Sequence, residues 1–489
     1  MPGVLKRSSL SRGSFRVSLS LTCLLVIAFS IALIGLVIQL LAFHHITDIA
    51  DHKLIVTSSI NIDSPNNDNN GDRSTSSSVV DNAQIISSTP NNNNKRNSTV
   101  AYVVTITGCS EKHHTAHEAT SLITQGAATL RHSIDLAHSS SSHYNYQMYA
   151  IIHPTATTCS VAPLQQLGYN ILIRNTPFDK ADIRQQFLRE NIDGASCCGA
   201  KEYLKLYAYT LVEYPIVVVL DLDSLVLRSM DGLFDALLMS EQHYDDERGD
   251  MNELLRQLPI HNGSNNRADT VESLFNNGKV TAFYTKDYNM INPGGEQYAG
   301  VQGGFLMIRP DESVFAEYID LVLQGNYIEG RGWGGKYGYF FGGAQIQGIC
   351  SYYFGELHPE RGVELNRCRV NLMVDNPRFD EGNNGKAADS VGKCRDGREG
   401  CEDCRAVDLE DVYSAHFTIC GKPWKCYTNL QPLCSKLHSE WFRIRRSYEE
   451  SRSDDEMRQL PALEGSYRPE IYHGYCKGAG GGNYLPLKI

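Results

Sequence analysis

Asp221 and Asp223 interrupt an apolar run that reads IVVVLDLDSLVL over residues 216–227. A continuous stretch of this kind, rich in Ile and Val, is what a strand buried on both faces requires. If the strand continues through it, alternation puts Asp221 and Asp223 on one face and Leu222 on the other. Two carboxylates so placed repel each other and stay ionised only with hydrogen bonds or a cation to compensate. A divalent metal taking oxygen ligands answers that need. The plainer reading stands beside it: the strand stops at Leu220 and the aspartates sit in a turn.

A second stretch with chemical content is YSAHFTICGKPW, residues 413–424. His416 follows a short apolar lead-in, and a neutral imidazole is a competent ligand for a transition metal. Gly421 allows close approach of backbone, and Lys422 can hold a phosphate as a point charge. Taken alone this is an ordinary loop. Combined with the two aspartates it completes a metal and diphosphate site.

The elements that must position these residues read as α/β. Strands are predicted over 101–107, 147–153, 169–173 and 301–310, and helices over 116–134, 200–214, 231–238, 251–258, 311–323 and 344–354. Strands alternating with helices imply a mainly parallel sheet covered on both faces. Ligands of such sheets bind beyond the carboxyl ends of the strands, where Asp221 and Asp223 fall.

The formal net charge of −11 excludes general affinity for nucleic acid, which depends on Lys and Arg neutralising phosphates. Residues 17–43 carry no charged side chain and are preceded by Lys6, Arg7, Arg12 and Arg16. That length exceeds the roughly 20 residues a membrane-crossing helix needs. The basic flank places the N-terminus in the cytoplasm and the rest on the other side. The domain plan is therefore a cytoplasmic tail (1–16), a transmembrane anchor (17–43), a disordered stalk rich in Ser, Asn and Asp (44–98), a catalytic domain (99–440) and a polar C-terminal tail (441–489). Glycosylation sequons begin at Asn97 and Asn262. Of the 14 cysteines, Cys23 lies in the anchor, and Cys394, Cys401, Cys404, Cys420, Cys426 and Cys434 cluster late in the chain. An oxidising lumen favours disulfides there, while the C-x-x-C of Cys401 and Cys404 leaves zinc as the rival. The odd number beyond the anchor implies at least one free or intermolecular thiol.

The ordered set of motifs resembles glycosyltransferase family 8, the glycogenin-like retaining glycosyltransferases, over residues 101–424. VVTIT followed by QGAATLRHSI is similar to that family's opening nucleotide-binding segment. LKLYAYTLVEYPIVVVLDLDSLVLRSMDGLFD is similar to its helix, Asp-x-Asp strand and following turn, and HFTICGKPW to its closing motif. The resemblance implies a GT-A type fold and a type II membrane protein of the Golgi or another secretory-pathway membrane. It implies Mn2+ bound by Asp221, Asp223 and His416, and a UDP-sugar whose hexosyl group passes to a glycan, protein or lipid acceptor. Gly421 and Lys422 would contact the diphosphate, Thr105 and Thr107 the nucleoside, and Lys205 and Gln345 would act at the donor sugar. Two positions depart from the family. Gln302 stands where it has Asn, and Ala344 replaces the Asp before Gln345. A catalytically silent sugar- or nucleotide-binding protein on the same fold is the first alternative. A metal-dependent phosphodiesterase is the second, but the further His and Asp ligands of a second metal are lacking.

Overall fold

The computed structural model describes residues 98–109, 116–239, 248–261, 271–276, 279–291, 295, 298–379, 392–452 and 474–487, all within one unit, Ser87–Ile489. The expected anchor, the stalk up to residue 97, Asn97 and Asn262 lie outside them. Among the described residues no helix is long and apolar enough to cross a membrane.

Seven strands form the central sheet: β1 (Thr99–Ile106), β2 (Asn145–Ile152), β3 (Asn170–Ile173), β4 (Val217–Leu220), β6 (Ala282–Asp287), β7 (Gly300–Ile308) and β10 (Gly362–Glu364). The short strands between and after them are β5 (Ser224–Val226), β8 (Tyr327–Ile328), β9 (Gly332–Trp333), β11 (Arg378–Phe379), β12 (Lys393–Cys394), β13 (Ser414–His416), β14 (Tyr475–Cys476) and β15 (Tyr484–Leu485). The order across the sheet is β10-β6-β7-β4-β1-β2-β3. β7 runs antiparallel to both β4 and β6, while the other pairings are parallel. The fold is thus mixed α/β with a mainly parallel sheet.

The apolar runs have a direct physical cause. In β1, Val100, Tyr102, Val104 and Ile106 enter the core on one face of the sheet, while Ala101 and Val103 enter the core on the other. Val218 and Leu220 of β4 divide from Val217 and Val219 in the same way. A strand covered on both sides has no polar face to alternate with. β6, β10 and the helix Thr157–Gln166 were not anticipated from patterning. β6 reads AFYTKD, and its Thr285 and Asp287 are buried polar residues that break the apolar signature.

Two expectations need correction. The strand over 216–227 is not continuous: β4 ends at Leu220, the Ser224 N–H donates to the Asp221 carbonyl at 3.0 Å, and β5 starts after this turn. The aspartates are therefore paired by a turn and not by strand alternation. Nor does a polar tail begin at 441. The helix Pro432–Arg452 crosses that boundary and buries Trp441, Ile444, Arg445 and Glu449. It packs on the helix Ala116–Ser141, where the Arg445 guanidinium donates to Gln125 Oε1 at 3.3 Å. Charged letters misled here because Arg445 and Glu449, four residues apart, neutralise each other inside the core. Residues 474–487 are tied down by the Cys426–Cys476 disulfide and by Tyr484, whose hydroxyl donates to Gln125.

The other disulfides are Cys109–Cys159, Cys368–Cys404, Cys394–Cys401 and Cys420–Cys434. Cys401 and Cys404 belong to different bridges, which removes the zinc reading. Three of these five bridges, Cys368–Cys404, Cys420–Cys434 and Cys426–Cys476, border the small core around Trp424 and Trp441, which also holds the segment carrying His416.

Candidate metal and diphosphate site

The site is assembled at the carboxyl end of β4 by a clip between distant segments. β13 pairs antiparallel with β5, with His416 opposite Ser224. The Phe417 N–H donates to the Asp223 carbonyl at 2.9 Å, and the His416 N–H to Leu372 at 2.9 Å. These backbone bonds fix the imidazole over the turn. His416 Nε2 lies 3.6 Å from an Asp221 oxygen and 3.4 Å from an Asp223 oxygen. Ligand atoms from the three residues all fall within 4.8 Å of one another. Two carboxylate oxygens and one imidazole nitrogen suit a divalent ion such as Mn2+ or Mg2+. Burial lowers the His416 pKa, which keeps the ring neutral and able to donate its lone pair.

Lysines balance the carboxylates. Lys205, on the 3₁₀ helix Gly199–Thr210, is buried and donates to Gly303 O at 2.8 Å, to Glu202 at 2.5 Å and to Asp221 at 2.9 Å. Burial alone would strip its charge, but Asp221 and Glu202 more than offset that and hold the ammonium protonated. In return, although burial opposes ionisation, the Lys205 and Lys422 ammonium groups keep Asp221 below the usual carboxylate range. The Lys422 ammonium pairs with Asp223. Burial brings Lys422 down to about 8, against the pull of Asp221.

The remaining sequence-nominated residues divide. Thr105 is the penultimate residue of β1, two residues beyond Val103, which pairs with Val219, so it sits at the same sheet edge as Asp221. Thr107 lies just past the end of β1. Gly421 is left-handed (φ 69°), and a Cβ there would collide with the Tyr427 ring at 2.3 Å. Gln345 is buried, and its amide donates to the carbonyls of Ala195 and Gly199, both at 2.8 Å. It braces a loop, and Lys205 braces Asp221. The structure thus brings Asp221, Asp223, His416, Lys422 and Lys205 into one cluster and engages the Gln345 amide with the loop between Ala195 and Gly199.

Four contributors escaped the sequence reading. Glu202 completes the Lys205 pair, and its E-x-x-K spacing was a usable signal. Gly304 lies so close to His416 that a Cβ would stand 2.3 Å from Cε1, and a glycine inside a strand is a known mark of close approach. Gly126 gives the Leu222 carbonyl similar room, at 2.6 Å from a Cβ. Asn371 donates to Gln302 Oε1 at 3.1 Å, and Gln302 in turn accepts from the Gly304 N–H at 2.5 Å. No pattern in the sequence announces Asn371.

Together these features define a mixed α/β fold in which two carboxylates and one imidazole, flanked by lysines, could hold a cation. No protein-family model and no curated protein matches the chain. Among solved structures it is similar to the bifunctional glycosyltransferase WbbM in its apo form, at 13% identity and a TM-score of 0.36, covering 71% of this chain and 49% of that one. It is similar to the galactosyltransferase LgtC in complex with donor and acceptor sugar analogues, at 13% identity and a TM-score of 0.33, covering 74% of this chain and 99% of that one. Mouse xyloside xylosyltransferase 1 matches at 10% identity and a TM-score of 0.31, covering 56% of this chain and 87% of that one.

Proposed function

We propose that this protein is a metal-dependent, retaining glycosyltransferase of the GT-A type, using a UDP-sugar as donor and a glycan, protein or lipid as acceptor. Residues 17–43 would anchor it in a Golgi or other secretory-pathway membrane with the catalytic domain lumenal. The observation that carries this reading is the convergence of Asp221, Asp223 and His416 beside Lys422 at the carboxyl edge of the sheet. Asp221, Asp223 and His416 would hold Mn2+, which when bound supplies Lewis-acid charge to the departing diphosphate. Lys422 leaves Asp223 and takes a diphosphate oxygen, placing fixed positive charge where negative charge develops. Lys205 keeps Asp221 ionised and aimed, and Gly421 lets backbone come close to the phosphates. Thr105 and Thr107 lie at the edge where the nucleoside would rest.

The test is UDP release from a panel of UDP-sugars by the purified protein, with Mn2+ and with chelator. Asp223→Asn keeps side-chain shape and removes a ligand charge, and UDP release is expected to fall to background with the thermal melt nearly unchanged. Full turnover in this variant, or with chelator, overturns the metal assignment. A binding-only protein would bind UDP-sugar through the same residues yet release no UDP from any member of the panel, so the same assay separates the two readings.

A further inference from the structure

Two cysteines stand beside this site and outside all five disulfides: Cys197, exposed, and Cys198, half-buried. Their sulfurs are 2.8 Å apart. A bonded pair stands about 2.05 Å apart, so closing the gap needs a movement of less than about 1 Å. Their surroundings impose this approach. Ser196 (φ 50°) and Gly199 (φ 58°) bracket the pair in left-handed conformations, and a Cβ at Gly199 would lie 2.4 Å from the Asp193 carbonyl. Gln345 grips the loop on both sides of the pair, at Ala195 and Gly199, and the Gly342 N–H donates to the Ser196 hydroxyl at 2.7 Å.

We propose that Cys197 and Cys198 are a modification site, closing to a reversible vicinal disulfide by exchange with small-molecule disulfides and thiols, and that closure weakens donor binding. The hydrogen bond from Cys197 holds the Cys198 thiol below its usual range, against burial that raises it, which favours Cys198 as the attacking thiolate. That thiolate attacks one sulfur of the small disulfide; the small S–S bond breaks, a mixed disulfide forms and one small thiolate leaves. The Cys197 sulfur then attacks the Cys198 sulfur, the mixed bond breaks, and the second small thiol leaves with the Cys197 proton. The two electrons lost by the protein dithiol reduce the small disulfide to two thiols. Adjacent Cα atoms lie only about 3.8 Å apart, short of the usual disulfide span of about 4.4–6.8 Å, so this bridge is more easily reduced than the other five. Cys350 is buried and its thiol is pushed up to about 12 by that burial, so it stays out of the exchange.

Coupling to the site runs along the chain. Cys198 directly precedes the helix Gly199–Thr210, whose Lys205 pairs with Glu202 and with Asp221. Drawing Cys198 toward Cys197 shifts the first turn of that helix and with it the Lys205 ammonium that holds Asp221. This half of the proposal rests on the donor-site reading above.

The experiment equilibrates the full chain in a series of reduced and oxidised glutathione mixtures, traps thiols by alkylation, and maps the peptide containing both cysteines by mass spectrometry. UDP affinity with Mn2+ is measured by calorimetry at both ends of the series. The expected result is loss of both alkylations on that one peptide, within a single chain, at mixtures that leave the other five bridges intact. UDP affinity is expected to fall about 5-fold or more on oxidation, and not to respond to the mixture in Cys197→Ser. Two alkylated thiols at every mixture, or bridges between chains, overturn the disulfide. A ring that forms with unchanged UDP affinity overturns the coupling. A reduced protein that does not bind UDP overturns the proposed donor and with it the coupling, while the peptide map still decides the disulfide.

Discussion

Gly304→Ala is expected to disable the site while leaving the fold standing. Gly304 lies on β7, the antiparallel neighbour of β4, and its carbonyl accepts from the Asp221 N–H at 3.3 Å. It is not among the positive-φ glycines, so alanine carries no backbone penalty there. The added Cβ would lie 2.3 Å from His416 Cε1, 2.5 Å from Nδ1 and 2.9 Å from Gln302 Oε1. Ordinary contact begins near 3.4 Å, so the imidazole must retreat by about 1 Å. The ring has little freedom to do so, because β13 is pinned to β5 and to Leu372 by backbone bonds. A displacement of about 1 Å in a catalytic group costs on the order of 100-fold in rate, and overpacking costs ~1–3 kcal/mol in stability. The assay is Mn2+-dependent UDP release together with calorimetric Mn2+ affinity and a thermal melt. Gly400→Ala, at a position with nothing within 4 Å, is the control. Gly304→Ala with parental turnover and parental Mn2+ affinity would refute the reasoning, because it would mean His416 is not held where the metal needs it.

Three further outcomes are expected. Lys205→Met leaves Glu202 and Asp221 without their shared buried cation, and unfolding free energy should drop by ~3–5 kcal/mol in denaturant titration; a drop under about 1 kcal/mol would show that solvent already neutralises the pair. Gln345→Ala releases the loop between Ala195 and Gly199, so UDP release should fall ~100-fold and limited proteolysis should cut near Cys197, with both parental rate and parental resistance counting against the brace. Burial and the neighbouring Asp375 push Asp287 up to about 6 from its ordinary 3.8. The folded state then binds the extra proton between those values, so this group adds stability at low pH that is lost as pH rises from about 4 to about 6, on the order of 3 kcal/mol in all. Asp287→Asn should flatten that part of the stability–pH curve, and an unchanged slope would show that Asp287 ionises normally.

Which residues gather in the candidate site was legible in the sequence because it depends on residue type. Asp221, Asp223, His416 and Lys422 have few other reasons to interrupt apolar or Gly-containing segments, and the doubly buried strands around them announce themselves as unbroken Val, Ile and Leu. Most helices and strands followed for the same reason: their periodicity records which side meets the core. What the letters did not carry were interactions between segments far apart in the chain. Whether Asp221 and Asp223 shared a strand face or a turn depended on where β13 could clip onto β5, and that pairing joins residues 224–226 to 414–416. Arg445 and Glu449 read as solvent-facing until the helix Pro432–Arg452 is laid on Gln125. The amide of Gln345 and the ammonium of Lys205 are chemically free to meet a substrate, but packing commits both to the protein itself. Sequence determines which groups are available; the tertiary structure decides which of them are already spoken for, because a buried donor takes the nearest acceptor whatever its distance along the chain.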